Sequence, residues 1–277
     1  MKHKPKLSQK KEKRLKVKDI LKTEGIITLG LNQKLAEAAS RFQSSHDAIV
    51  VLSDEQVKGL VCPYYTMIKR VYPPRTKLAN CLFSQPKIYL DTTLAKVARL
   101  MLESKVHYLP VMDDKSKLIG LVTARRILET FLDYPQNEDQ VTDIVNNKQY
   151  LQTVNLNCKF DEVLRFFQNT KLSKLVVVNR QNNLQGIISM FDLLPLFQEP
   201  KQRKSFYDRG EDFSQFDRYA IKNFLKRSTI QVTSRSKLKQ VTRLILDKEI
   251  GSVIVMKNRL QPSSIVTTSD LLRYFNT

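Results

Sequence analysis

The chain has 277 residues, 47 Lys or Arg against 27 Asp or Glu, a formal net charge of +20 and 42% hydrophobic residues. That apolar share supports a packed core, and seven glycines with ten prolines are too few for a collagen-like or low-complexity protein. No uncharged apolar run approaches the roughly 20 residues of a membrane-spanning helix, and the Lys-rich start has no apolar stretch behind it as a secretory signal would. At roughly 100–200 residues per domain the length suggests about two domains. The three cysteines are odd in number and none are at C-x-x-C spacing, and the three histidines lie far apart. A disulfide scaffold or zinc site is not expected, and a reducing cytoplasm fits best.

Residues 1–18 hold nine Lys or Arg and a single acid, Glu12. Such a like-charge block should repel itself and form a disordered arm. It carries no aromatic residue for base stacking and no broad apolar face for a membrane, but it could attract nucleic acid or acidic proteins non-specifically. A plain solubilising tail is the alternative.

Beyond the arm, four stretches place apolar or small residues at i, i+3, i+4, i+7. They are Leu35, Ala38, Ala39, Phe42; Leu94, Val97, Ala98, Met101; Phe160, Val163, Leu164, Phe167; and Leu238, Val241, Thr242, Ile245. This spacing predicts one buried face on each of four helices. Only Thr242 interrupts it. A continuous apolar run follows each helix: Ala48–Leu52, Tyr108–Met112, Leu175–Val178 and Ser252–Met256. Runs of this length predict strands covered on both faces. Turn chemistry (Ser53-Asp54, Asp113-Asp114, Asn179 to Asn183, Lys257-Asn258) then leads into another strand and a second helix.

Phase is the strongest signal. From the first helical anchor to the strand after the turn the offsets are 24, 26, 26 and 26 residues, ending at Gly59, Gly120, Gly186 and Ser264. The sequence therefore predicts an α+β fold of four tandem β-α-β-β-α repeats. One such unit is too small to be robust alone, and two packed sheet to sheet would cover each other's apolar faces. The expected organisation is the arm 1–18, a first pair over 19–135 (repeats 19–72 and 73–135) and a second pair over 136–277 (repeats 136–197 and 218–277). An insert at 198–217 carries four aromatics, Phe206, Tyr207, Phe213 and Phe216, and reads as a segment packing on the modules or on a partner.

The segments Asp91-Thr92-Thr93-Leu94, Tyr108 to Asp113 and Leu118 to Thr123, with Leu184 to Leu194 and Ser264 to Leu272, resemble the CBS-domain family. The first repeat is degenerate, retaining Lys58-Gly59-Leu60-Val61. The resemblance implies two disc-like modules of paired CBS repeats with a regulatory role. Their clefts would bind an adenosine-containing ligand such as AMP, ADP, ATP or S-adenosylmethionine, with no cofactor required. Face-to-face association into a homodimer, or an unidentified regulated protein, is the implied partnership.

The family signature is Gly, two apolar residues, Thr/Ser, any two, then Asp. An ionised carboxylate there can accept from both ribose hydroxyls, and the hydroxyl side chain can meet ribose or phosphate. The third repeat supplies Ser189 and Asp192, and the fourth Thr267 and Asp270. Helix capping is the alternative role for the two aspartates. At the carboxylate position the second repeat has Arg126 behind Thr123, and the first has Tyr65 behind Cys62. A guanidinium has only donors, so Arg126 is either a solvated residue or a phosphate contact. The expected sensor is the C-terminal pair, with the N-terminal pair structural, partner-binding or altered in ligand. Lys171 and Lys248, near the ends of first helices, are candidates for phosphate or simply exposed lysines. Neither a nucleophile–base pair nor a P-loop is recognisable, so catalysis is not expected. A nucleic-acid-binding or adaptor role resting on the charge is the alternative, although no recognition motif accompanies it.

Overall fold

The computed structural model describes residues 15–42, 47–132, 138–145, 151–193, 221–223, 225 and 227–276. The arm up to residue 14 and the insert 198–217 lie outside the described residues.

The first repeat contains β1 (Thr28–Gly30), α1 (Leu35–Ala39), β2 (Ile49–Ser53) and β3 (Gln56–Val61), and ends in a π-helical turn over Tyr64–Lys69. The second contains α2 (Leu94–Ser104), β4 (Tyr108–Met112), β5 (Leu118–Thr123) and α3 (Ala124–Leu132). A short α4 (Val141–Val145) leads to the third, with β6 (Thr153–Asn155), α5 (Phe160–Thr170), β7 (Lys174–Val178), β8 (Leu184–Ser189) and α6 (Met190–Leu193). The fourth has β9 (Gln231–Thr233), α7 (Leu238–Asp247), β10 (Ser252–Met256), β11 (Pro262–Thr267) and α8 (Thr268–Phe275). All sixteen residues of the four predicted helix faces are buried. Thr242 fits among them because its hydroxyl donates to the Leu238 carbonyl at 2.9 Å, satisfying the group inside the helix.

The four sheets repeat in register. In each, the middle strand pairs antiparallel with the strand after it, and each ladder slips by one residue at the same point: after Val51, Val111, Val177 and Val255. These valines face Gly59, Gly120, Gly186 and Ser264. Three repeats also have a first strand parallel to the middle one. The second repeat retains only a parallel bridge between Ile88 and Val111. The reason is Pro110. Its equivalents Val50 and Ile254 donate their N–H to Ile27 and Ile230, whereas proline has no N–H to give.

Two kinds of contact assemble the repeats. Sheet meets sheet within each half, Val50, Val57 and Leu60 against Met112 and Leu121, and Val176 and Val178 against Ile254. Helices meet across the halves. Leu35, Ala38 and Phe42 of the first repeat share a core with Phe160, Leu164 and Phe167 of the third, while Val97 and Met101 of the second share one with Val241 and Ile245 of the fourth. Each large side chain so buried contributes about 1.5–3 kcal/mol. Stacking of Phe131 on Phe275, centroids 4.7 Å apart, adds a ring contact between the second and fourth repeats.

The arm ends earlier than the charge pattern suggests. Val17 is fully buried in a short 3-10 turn, Val17–Asp19, and its N–H donates to the Thr92 carbonyl at 2.9 Å. Residues 15–18 are thus part of the fold. One apolar residue inside a basic run has a site waiting for it on the second repeat, which a count of charges does not register.

Candidate functional site

In three repeats the first N–H of the last helix donates to the residue just before the middle strand: Ala124 to His107, Met190 to Ser173 and Thr268 to Gly251. This sets each signature Ser/Thr-x-x-Asp beside the start of the central strand. Pro63 occupies the equivalent position in the first repeat and has no N–H.

At the third repeat, the Ser189 N–H and hydroxyl both donate to Oδ2 of Asp192, at 2.8 and 2.6 Å. At the fourth, the Thr267 N–H and hydroxyl donate to Oδ2 of Asp270 at the same distances, and Oγ1 of Thr267 accepts from the Asp270 N–H at 3.3 Å. Arg273 lies 3.6 Å from Oδ1 of Asp270. The fourth-repeat signature is a capping box, with Thr267 at the N-cap and Asp270 three residues on, and the third repeat shows its returning half, Asp192 accepting from the Ser189 N–H. Capping therefore accounts for the Ser/Thr as well as the Asp, so their spacing does not by itself single out a ligand. It does fix where each carboxylate stands.

The second repeat keeps the cap through Thr123, whose Oγ1 accepts from the Arg126 N–H at 3.2 Å. The Arg126 side chain is neither solvated nor held out toward a phosphate. Nη1 donates to the carbonyls of Ile20 and Leu21 at 2.8 and 2.9 Å. In the first repeat the Tyr65 ring stacks on Phe83 with centroids 3.9 Å apart, and its hydroxyl donates to the Ser104 carbonyl. Burial pushes the neighbouring Cys62 thiol up to about 12, so it stays protonated and behaves as a small apolar side chain.

Lys171 closes α5 in the left-handed conformation, φ 56°, as Lys105 closes α2 at 57°. The corresponding left-handed residue after α7 is Glu249, φ 49°, while Lys248 stands one position earlier at φ −89°. Lys248 is therefore not the counterpart of Lys171, and an acid takes that place in the fourth repeat. The helix ends look alike in sequence because a Lys precedes the turn in each. The register that separates them is also legible in the spacing, since Lys105, Lys171 and Glu249 each stand 11 residues after their helical anchor and Lys248 only 10.

Sequence reasoning missed a polar cluster where the second, third and fourth repeats converge. Nε2 of His107 lies 2.9 Å from Oγ of Ser269. The Lys174 ammonium donates to Oγ of Ser252 at 3.3 Å and would collide with a side chain at Gly251. Arg125 reaches from α3 to the carbonyls of Leu246 (3.1 Å), Ile245 and Ile250 (both 3.5 Å) at the end of α7, where the helix dipole favours a cation. Burial, and then the charges of Lys174 and Arg125, push the His107 pKa down to about 3, so the ring is neutral near pH 7. Tyr108, next in the chain, hydrogen-bonds Asp47 of the first repeat. These residues lie outside the family signature and are not close in sequence. The one legible clue was that Tyr108, Lys174 and Ser252 all open a central strand. A separate apolar hollow at the helix ends, lined by Leu15, Leu94, Phe131 and Phe275 among others, contains none of the candidate residues.

The CBS domain family matches residues 83–133 and 141–199, the second and third repeats. The second and third repeats are thus similar to CBS domains, and the same register and bulge recur in the first and fourth repeats. Among solved structures, protein MJ1225 from Methanocaldococcus jannaschii, described as a candidate archaeal homolog of g-AMPK, superposes with a TM-score of 0.79 at 17% identity. The match covers 94% of this chain and all of that one. An uncharacterized conserved protein from Pyrococcus horikoshii gives 0.61 at 18% identity, covering 94% of this chain and all of that one. In sequence, MJ1225 is 24% identical over 166 residues, 60% of this chain and 58% of that protein. An inosine-5′-monophosphate dehydrogenase from Helicobacter pylori is 26% identical over 197 residues, 69% of this chain but 40% of the enzyme. The chain thus spans about half the length of the curated relatives it matches. At these identities the likeness is one of fold.

Proposed function

We propose that this protein is a non-catalytic regulatory module that binds an adenosine-containing ligand (AMP, ADP, ATP or S-adenosylmethionine) in its C-terminal CBS pair. The observation carrying this reading is the duplicated clamp, Ser189 with Asp192 and Thr267 with Asp270, each carboxylate held at 2.6–2.8 Å by its own N-cap. A carboxylate already oriented can receive the two ribose hydroxyls with little further loss of side-chain freedom. Arg125 and Lys174 supply positive charge where the repeats converge, suited to a phosphate chain, and Lys171 at the end of α5 is a separate candidate. Lys248 has the weaker case because of its register. The three free cysteines, two of them buried, accord with a cytoplasmic setting. Among the described residues no helix is long and apolar enough to cross a membrane.

Thermal-shift screening against adenosine compounds tests the reading. A ligand at a hundredfold excess over Kd adds about 2.7 kcal/mol of stability. Stabilisation by an adenine nucleotide that disappears in Asp192→Ala/Asp270→Ala supports the assignment. Binding unchanged in that variant removes it. Retention on nucleic acid that is steeply salt-dependent and indifferent to adenosine compounds favours the adaptor role instead.

A further inference from the structure

We propose that copies of this chain associate through their hairpin turns, the basic turns of the C-terminal half seating on the acidic turns of the N-terminal half of a second copy. Each half ends in two hairpin turns held side by side. In the N-terminal half the Val57 N–H donates to the Ser116 carbonyl at 2.9 Å, and in the C-terminal half the Leu184 N–H donates to the Leu260 carbonyl at 2.8 Å. Val57 and Leu184 stand two residues before Gly59 and Gly186, while Ser116 and Leu260 stand four residues before Gly120 and Ser264. The two turn pairs therefore share one backbone plan.

Their charges are opposite. The N-terminal turns, residues 53–56 and 113–117, carry Asp54, Glu55, Asp113 and Asp114 against Lys115 and Lys117. The corresponding residues 180–183 and 257–261 carry Arg180, Lys257 and Arg259 and no acid. All three cations are exposed, and none of them is paired with an acid among the described residues. Gathered on one pair of turns, they repel one another until an anion approaches. In the acidic pair the Lys117 ammonium lies 2.7 Å from Glu55, but the two side chains are 52% and 78% exposed, so this ion pair is weak. Asp54 and Asp114 beside it face solvent. The basic pair also offers an apolar contact, since Leu260 is 60% exposed, more than any other large hydrophobic residue among those described.

The topology carries both turn pairs to the periphery. Tyr108, Lys174 and Ser252 open their central strands where the second, third and fourth repeats converge, and five residues of strand lead about 15 Å away from that point before the chain turns. Among the described residues no hydrogen bond or ion pair joins one turn pair to the other. Like pairs repel, so two copies meet through unlike pairs. Such a contact is heterologous, and it continues into a chain of copies or closes into a ring. Four short turns bury less than the roughly 1,200 Å² at which stable interfaces begin, which makes the association weak and governed by charge.

Light scattering on the full chain, freed of nucleic acid, is the test. At a chain concentration of about 200 μM in about 50 mM salt the weight-average mass should stand about 1.5-fold or more above that of the monomer, and it should return to the monomer value in about 1 M salt, where the screening length is about 3 Å. A net charge of +20 drives copies apart most strongly at low salt, so association that strengthens as salt falls can come only from a local match of opposite charges. Arg180→Glu/Lys257→Glu/Arg259→Glu makes both turn pairs acidic, and Glu55→Lys/Asp114→Lys makes both basic. Each variant should be monomeric alone, and mixing the two should restore the association, which also shows that both are folded. A monomeric intact chain at low salt, an association that salt does not weaken, or a mixture no heavier than its separate components overturns the proposal. No turn residue belongs to the nucleotide site proposed above, so the two readings stand or fall separately.

Discussion

His107 should make this protein measurably less stable in mild acid. In the folded chain the ring is buried against Ser269 and faces the charges of Lys174 and Arg125, which together put its pKa at about 3. In the unfolded chain it returns to its ordinary 6.5. Above pH 6.5 neither state binds the proton, and the group makes no pH-dependent contribution. Below pH 6.5 the unfolded chain takes up a proton that the folded chain refuses, so stability falls as pH falls, until about pH 3. The slope is about 1.4 kcal/mol per pH unit for one proton, which makes about 2 kcal/mol between pH 6.5 and 5. The perturbation is His107→Gln, which keeps a neutral polar side chain beside Ser269 but cannot titrate. The assay is urea unfolding of both chains at pH 7.5, 6.5, 5.5 and 5.0. The variant should cost a roughly constant amount at pH 7.5 and 6.5 and then gain on the parent by about 2 kcal/mol by pH 5. A stability difference that stays flat across the series would show that His107 is protonated without penalty in the fold. The assigned contact between the second and fourth repeats would then be wrong.

Asp270→Ala should remove the capping box of α8 and its Arg273 neighbour, lowering stability by about 1 kcal/mol in urea unfolding, alongside the loss of nucleotide binding. Lys171→Gly should raise stability by up to about 1 kcal/mol, because glycine accepts the left-handed backbone at little cost. If Lys171 also meets phosphate, the same variant should weaken ATP more than adenosine in calorimetry, and equal losses would argue against that role. Gly120→Ala should lower stability by about 1–3 kcal/mol, read as a fall in Tm, since the atom in the way is the Lys22 backbone carbonyl and the two backbone segments must part. Gly251→Ala should cost much less, because its neighbour is the tip of Lys174, which can swing aside.

Much of the fold was legible because periodicity is a local property. Sixteen helix-face residues, four central strands and a turn in constant phase could be read one segment at a time, and all sixteen face residues are buried. The absent first strand of the second repeat was also written in the sequence, at Pro110, though only comparison with the hydrogen bonds of Val50 and Ile254 shows what that proline removes. The candidate site was legible in part. Ser189, Asp192, Thr267 and Asp270 stand out by spacing, but the same spacing is that of a capping box, and sequence alone does not separate the two uses. His107, Arg125 and Lys174 carry no motif. They meet because three central strands begin at one place.

What the sequence determined by itself is the unit and its number: a small α/β element, repeated four times, each with apolar faces that demand cover. What only the tertiary structure decided is the choice of cover. Helices of the first repeat meet those of the third, and helices of the second meet those of the fourth. Residues 15–22 cross the second repeat instead of trailing into solvent, and Arg126 finds peptide carbonyls there. The physical reason is that burial of apolar surface is non-directional. A pattern of side chains states that a face will be covered, while its partner is settled by shape and by the few hydrogen bonds that fit once distant segments meet.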